Sequence, residues 1–233
     1  MLHTTAYSET SVIARIFTRQ LGVRSYIMKG VRKEGSRTKR NLLQPLSYLD
    51  MVVYVNPKTT LNYVKEAAPH SLPVATADGN GAVRNAVVFF MTELLYKTLR
   101  DEEPDKELFD YIVEALEQLQ QPLSPRHAQM PLLFMLRLTR YLGILPRDNY
   151  SVREPLFDMQ EGCYKSAGAT VMDADSSRLL HEYLYAMQHQ GEPPRVALQQ
   201  RSMLLNRLLQ YYQLHIAGFA NFNSHEILHT ILK

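Results

Sequence analysis

Two different periods of apolar residues divide this chain. As far as residue 67 the apolar positions come in short β-branched and aromatic runs: Ser11 to Thr18 (SVIARIFT), Val23 to Lys29 (VRSYIMK), Leu46 to Val55 (LSYLDMVVYV) and Leu61 to Ala67 (LNYVKEA). Each break carries Gly, Pro, Asn or clustered charge, the pattern of strands separated by turns. Beyond residue 81 the period becomes helical. Ala82 to Arg100 places Val83, Ala86, Val87, Phe90, Leu94 and Leu95 on one stripe, and Asp105 to Gln120 does the same with Leu108, Ile112, Ala115, Leu116 and Leu119. A third helix is predicted over His127 to Tyr141, ended by Gly143 and Pro146. Asp175 to His189 and Val196 to Ala217 predict two more, and Ser224 is placed to cap a last short one. Residues 147–172 interrupt the helical pattern, and FDMQEGCY predicts a turn at Glu161 and Gly162 within a loop or hairpin.

The expected fold is therefore α+β in two domains. Four or five short strands in so few residues predict a small closed barrel over 1–69, and the helices predict a bundle over 82–233. Between them, PHSLPVATADGNG has two prolines, two glycines and no strand pattern, so 70–81 is expected to be a linker. A barrel this small has no interior room for a catalytic cleft, but it offers one curved face and flexible loops to a nucleic-acid strand.

Charge sharpens that picture. Residues 1–70 hold eleven Lys and Arg against four Asp and Glu, a formal +7, while residues 71–233 hold fifteen against nineteen, a formal −4. Most of the excess lies in GVRSYIMKGVRKEGSRTKR, residues 22–40, where Arg24, Lys29, Arg32, Lys33, Arg37, Lys39 and Arg40 face one acid, Glu34. Such a field attracts phosphate backbones. Charge runs are more often plain solvated surface, but here the cations alternate with Tyr26, Ile27, Met28 and Val31 between strand-like segments. Among Tyr7, Tyr26, Tyr48, Tyr54 and Tyr63, the preferred stacking residue is Tyr26, because it shares strand parity with Arg24 and Met28 and is flanked by charge.

Cys163 is the only cysteine, which excludes an internal disulfide and a cysteine-rich metal site. Neither a signal peptide nor a stretch of about 20 apolar residues occurs, so a soluble intracellular protein is expected. No Gly-rich phosphate loop or G-x-S-x-G elbow is present. His225-Glu226-Ile227-Leu228-His229 matches H-E-x-x-H, which on a helix can present two imidazoles to zinc. Hydrolysis would need a third ligand and a held water, and only four residues follow. His215 or His181 are the upstream candidates. Ile227, Leu228, Ile231 and Leu232 are more simply the packing face of a terminal helix.

The order Tyr7-x-Glu9-Thr10, Phe17-Thr18, Gly22, Lys29-Gly30-x-Arg32, then Leu43-Gln44-Pro45-Leu46 ahead of a strand, and Tyr141-Leu142-Gly143-Ile144-Leu145-Pro146 after helices, resembles the RecO family of bacterial recombination and repair proteins. The resemblance covers nearly the whole chain. It implies an oligonucleotide-binding (OB) barrel followed by a helical domain, in a cytoplasmic, nucleoid-associated protein with no membrane segment. It also implies binding of single- and double-stranded DNA, annealing of complementary strands, pairing with RecR, with RecF as a further partner, and loading of recombinase on strands coated by single-strand-binding protein. DNA binding is expected at Arg24, Tyr26, Lys29, Arg32, Lys33, Arg37, Lys39 and Arg40. Arg137 and Arg140, which flank the apolar helix LLFMLRLTRYLG, are the expected contacts for the acidic, apolar C-terminal tail of single-strand-binding protein.

Two departures from the family pattern stand out. Many members carry a four-cysteine zinc site in the loop after GILP, whereas this loop has Cys163 alone, so no zinc, no other cofactor and no catalytic residue are expected. Met1-Leu2-His3 reads as the end of the family's first strand, which puts barrel closure along that edge in doubt. The alternative from another class is an RNA-binding barrel of translation or ribosome assembly, which should exploit the 2′-hydroxyl; a zinc hydrolase ranks third.

Overall fold

The computed structural model describes residues 1–33, 41–55, 59, 61–70, 81–100, 103–122 and 124–231. They form two compact units, Met1–Leu123 and Ser124–Lys233. In the first, β1 (His3–Ala6), β2 (Val12–Thr18), β3 (Gly22–Met28), β4 (Leu49–Tyr54) and β5 (Leu61–Pro69) make one sheet in the order β1-β2-β3-β5-β4. All pairs are antiparallel except β3 with β5. This is the partly open, five-stranded arrangement of an OB fold. Among the described residues the sheet does not close into a barrel, contrary to the expectation from strand number. The four residues of β1 pair with β2, and the segment ahead of β4 reaches the chain start through Leu46 N–H donating to the Met1 carbonyl at 3.0 Å.

Alternation sets the core. Val12, Ala14 and Ile16 of β2 face Met28, Tyr26 and Arg24 of β3 in register, and the first two pairs lie in a buried cluster with Met1, Val31 and Leu42. Leu49, Met51, Val53 and Val64 pack against this cluster from β4 and β5. The tight β2–β3 turn uses Gly22 at φ 67°. Thr18 Oγ1 braces it by donating to the Gly22 carbonyl and accepting from Leu21 N–H.

The other face of β2 also needs cover, and two helices of the same unit supply it: α1 (Gly81–Thr98) and α2 (Lys106–Gln120). Arg15 donates to the Leu99 carbonyl at 3.0 Å and lies over the Tyr96 ring, on which His3 stacks at 4.7 Å. Phe17 meets Phe109 at 5.8 Å, and Arg19 forms a forked pair with Asp110, both bonds 2.9 Å. Asp105 caps α2 by accepting from Leu108 N–H. The compact unit thus runs on to Leu123, whereas composition placed a boundary at 70–81, of which 71–80 lie outside the described residues.

The second unit contains α3 (Pro125–Tyr141), the hairpin β6 (Leu156–Asp158) and β7 (Cys163–Lys165), α4 (Ala174–Gln188), α5 (Leu198–His215) and α6 (Ser224–Ile231). Tyr212 Oη on α5 donates to the Met135 carbonyl of α3 at 2.7 Å, and Tyr211 Oη donates to Ile144 O at 2.8 Å. These bonds satisfy phenols that would be costly to bury unpaired. No helix among the described residues is long and apolar enough to cross a membrane.

The loop at 147–172 is organised by a buried carboxylate. Asp158 Oδ1 accepts from Thr170 Oγ1 at 2.7 Å, Gln160 N–H at 2.9 Å and Glu161 N–H at 3.2 Å, while Lys165 Nζ lies 3.4 Å from Oδ2. The hairpin turns at Gly162, whose φ is 67° and where an added Cβ would stand 3.0 Å from the Tyr211 hydroxyl. Nearby, Asp148 pairs with His181 Nδ1 at 2.8 Å, and the Tyr150 ring stacks on His181 at 4.4 Å.

Burial works against the charged form of Asp158, but the bonds from Thr170, Glu161, Gln160 and Lys165 outweigh it and hold the carboxyl below its ordinary value. A depressed folded pKa means that the stabilisation is complete above the unfolded value of about 4 and drains away as pH falls through the folded one. Asp158→Ala should therefore lower stability by about 3 kcal/mol at neutral pH. In thermal unfolding, the gap between parent and variant should narrow as the solution is acidified below the unfolded value.

Candidate nucleic-acid interface

The basic segment leaves β3 at its C-terminal end. Val31 is buried in the barrel core, so the chain is pinned there while Lys29, Arg32 and Lys33 on either side remain exposed. Arg32 ties the segment to the β1–β2 loop twice: its N–H donates to Thr10 O at 3.1 Å, and its Nη1 donates to Ser8 O at 3.1 Å. Lys29 Nζ lies over the Tyr63 ring, 5.2 Å from its centroid. Arg37, Lys39 and Arg40 lie outside the described residues.

Arg24 does not join this group. It is half-buried at the opposite end of β3, roughly 16 Å from Lys29 at ~3.3 Å per residue. Its Nε donates to the Leu21 carbonyl at 3.1 Å, so it buttresses the β2–β3 turn.

Tyr26, the preferred stacking residue, is a core residue with 0% exposure. The parity it shares with Arg24 and Met28 is real, but Met28 is buried, so the shared face is the inner one. The flanking charges belong to the ends of the strand. Burial raises the Tyr26 phenol pKa, and its hydroxyl makes no well-formed hydrogen bond. Tyr48 is also engaged internally, against His70 at 4.3 Å and Phe109 at 5.9 Å.

Two other tyrosines are displayed. Tyr54 on β4 and Tyr63 on β5 are direct cross-strand partners on the outer face, 61% and 44% exposed. Register was the missing signal: Tyr54 and Tyr63 share a face only once β4 and β5 are paired, with a bulge at Val52/Val53. Tyr7 is likewise exposed.

In the second unit, Arg137 and Arg140 sit one helical turn apart on the exposed side of α3, with Leu138 and Thr139 buried between them. Neither lines the recess of about 20 Å³ bounded by α3, α5 and α6, which holds the half-buried Arg201. The H-E-x-x-H residues do fall on one helix, α6, but in structural settings. His225 lies beside Phe222, His229 Nδ1 is 3.4 Å from Ser202 Oγ, and Glu226 is exposed. The upstream candidates are committed elsewhere, His181 to Asp148 and His215 Nε2 to the Met159 carbonyl at 2.8 Å. Among the described residues no three His, Cys, Asp or Glu side chains gather as a metal-binding group. Leu228 packs as expected, but Ile227 is 45% exposed.

The family described as "Recombination protein O N terminal" matches residues 1–72, and "Recombination protein O C terminal" matches 80–221. The chain belongs to the recombination protein O family. Similar proteins share its whole length. "DNA repair protein RecO" of Phocaeicola vulgatus is 29% identical, covering 100% of this chain and 97% of its own. Those of Azobacteroides pseudotrichonymphae and Christiangramia forsetii are 24% and 28% identical, with 99% and 97% of this chain covered and 95% and 93% of their own. Membership of the RecO family assigns the chain to DNA repair and recombination. The two family regions part between residues 72 and 80, where the composition changes. Compactness parts them after Leu123, so the first two helices of the C-terminal family region pack with the N-terminal sheet.

If Tyr26 is purely a core residue, Tyr26→Ala should cost about 4 kcal/mol, while Tyr26→Phe should melt within about 1 kcal/mol of the parent because it removes an unpartnered hydroxyl. A folded Tyr26→Phe protein that had lost DNA affinity would bring the Tyr26 hydroxyl back to the interface.

Proposed function

We propose that this RecO-family chain is a non-enzymatic DNA-binding mediator of recombination. It holds single- and double-stranded DNA on the basic segment of its barrel, anneals complementary strands, and with RecR helps to load recombinase onto strands coated by single-strand-binding protein. The observation that carries the reading is the exposed set Lys29, Arg32 and Lys33, fixed to the barrel by buried Val31 and by the bonds of Arg32 to Ser8 and Thr10. In sequence it runs directly on to Arg37, Lys39 and Arg40. Two like-charged strands approach only when cations lie between them. Lys and Arg supply those cations through phosphate contacts and leave the base edges free to pair. Annealing by charge neutralisation needs no nucleotide and no metal.

If about five phosphates of a single strand are neutralised, log affinity should fall against log salt with a slope of roughly −3 to −4. Replacing Lys33, Arg37, Lys39 and Arg40 together by Ala should flatten that slope and slow annealing. Annealing by the parent should proceed in chelator and without ATP. An unchanged slope in the fourfold variant would remove this segment from the interface.

Arg137 and Arg140 offer two exposed cations beside an apolar helix, which suits an acidic, apolar peptide tail such as that of single-strand-binding protein. The double variant Arg137→Ala, Arg140→Ala should bind a labelled tail peptide at least five-fold more weakly in fluorescence titration. Equal affinity would place the tail site elsewhere.

A further inference from the structure

OB folds commonly bind strands across the face of their second and third strands. Here the outer side of β2 is occupied from within the same unit: Phe17 by Phe109, and Arg15 by Tyr96 and the Leu99 carbonyl. The neighbouring outer residue of β3, Ile27, is buried as well. What the sheet leaves open is the outer side of β5 and β4. There Tyr63 and Tyr54 stand opposite each other, and Val52, two residues along β4 on the same side, is 51% exposed. Directly paired side chains on one face have Cβ atoms ~4.5–5.5 Å apart, so the two side chains leave the sheet at neighbouring positions.

Charge on this face is graded. Lys29 Nζ is 5.2 Å from the Tyr63 ring centre, and Lys65, the extra residue of β5 at the register shift, is exposed and pairs with Glu66 at 3.4 Å. The acids lie toward the other end of the ladder, Glu66 opposite Val52 and Asp50 opposite Ala68, with Asp50 paired to His70 at 3.0 Å. The tyrosine end therefore combines exposed π-faces with cations and continues directly into the basic segment that begins at Lys29.

We infer that Tyr54 and Tyr63 form a stacking platform for unpaired bases of single-stranded DNA, with Lys29 holding the adjoining phosphate. This rests on the DNA-binding reading above and specifies its single-strand site. A ring takes the face of a base whatever its identity, and the ammonium beside it takes the backbone charge. A duplex encloses its base faces in its own stack, so it engages the cations and not the rings.

The test uses the full chain and fluorescence anisotropy with labelled oligothymidylate and with a duplex of equal length. Tyr54→Ala and Tyr63→Ala should each weaken single-strand binding roughly ten-fold. Duplex affinity should change by less than about two-fold and the salt slope should hold, since no phosphate contact is removed. Tyr54→Phe and Tyr63→Phe should bind like the parent, because the ring face is kept. Both positions are exposed, so unchanged thermal unfolding will confirm that the Ala variants are folded. Parent-like single-strand affinity in the double Ala variant, or equal loss for single strand and duplex, overturns the platform while leaving the cationic site intact. A parent that binds no DNA overturns the DNA-binding reading itself.

Discussion

The outer face of β2 is the constraint on which the first unit turns. Arg15 projects from that face, and a guanidinium there must find an acceptor or stay in water. It finds the Leu99 carbonyl just past the end of α1 and the Tyr96 ring within that helix. A hydrogen bond from a charged group contributes ~1.5–3 kcal/mol, more than the exposed Arg19–Asp110 pair that lies further along. Phe17, two residues on, adds an aromatic contact with α2. Together these residues tie two helices to the sheet, which is why the compact unit does not end where the strands do. They also cover much of the outer side of β2 and leave the outer side of β4 and β5 as exposed sheet surface.

In the second unit a single carboxylate gathers the loop between α3 and α4. Asp158 draws in the turn at Gln160 and Glu161, the Thr170 hydroxyl and the Lys165 ammonium, so residues far apart in the loop share one acceptor. Asn149 extends the arrangement by bonding both the N–H and the carbonyl of Tyr164. Tyr164 then reaches Ser177 O on α4, and Ser177 Oγ accepts from Phe157 N–H. Every link is a backbone group or a polar side chain with a partner, so the loop is held by hydrogen bonds around one carboxylate, with Cys163 as its one cysteine.

Much of this was legible in the residues. The strand runs, the six helical segments and the turn at Glu161 and Gly162 follow directly from period and punctuation, because each is a local property. Facing is a different matter. Tyr26 and Met28 were correctly placed on one side of β3, but alternation gives two sides without saying which is inner. That choice was decided by Val12 and Ala14 across the ladder. Tyr54 and Tyr63 come together only through the pairing of β4 with β5 and its bulge at Val52/Val53, a long-range fact with no local signature. The chain start shows the opposite case: Met1-Leu2-His3 reads as a strand end, whereas the strand runs over His3–Ala6, because HTTA is too short and polar to mark itself and forms where β2 offers it an edge.

A stacking platform beside a cationic segment has a consequence for annealing. Phosphate contacts use the backbone and stacking uses base faces, so on the proposed surface the Watson–Crick edges of a held strand remain outward and available. Once a complementary strand pairs, the bases close into their own stack and the contacts with Tyr54 and Tyr63, each worth ~1–3 kcal/mol, are lost. The phosphate contacts persist. The two rings thus favour the single strand over the duplex made from it and act against the tighter electrostatic hold of the duplex. That preference favours departure of the product, and a surface made of cations alone could not supply it, because the denser charge of a duplex would hold the product more tightly than the substrate.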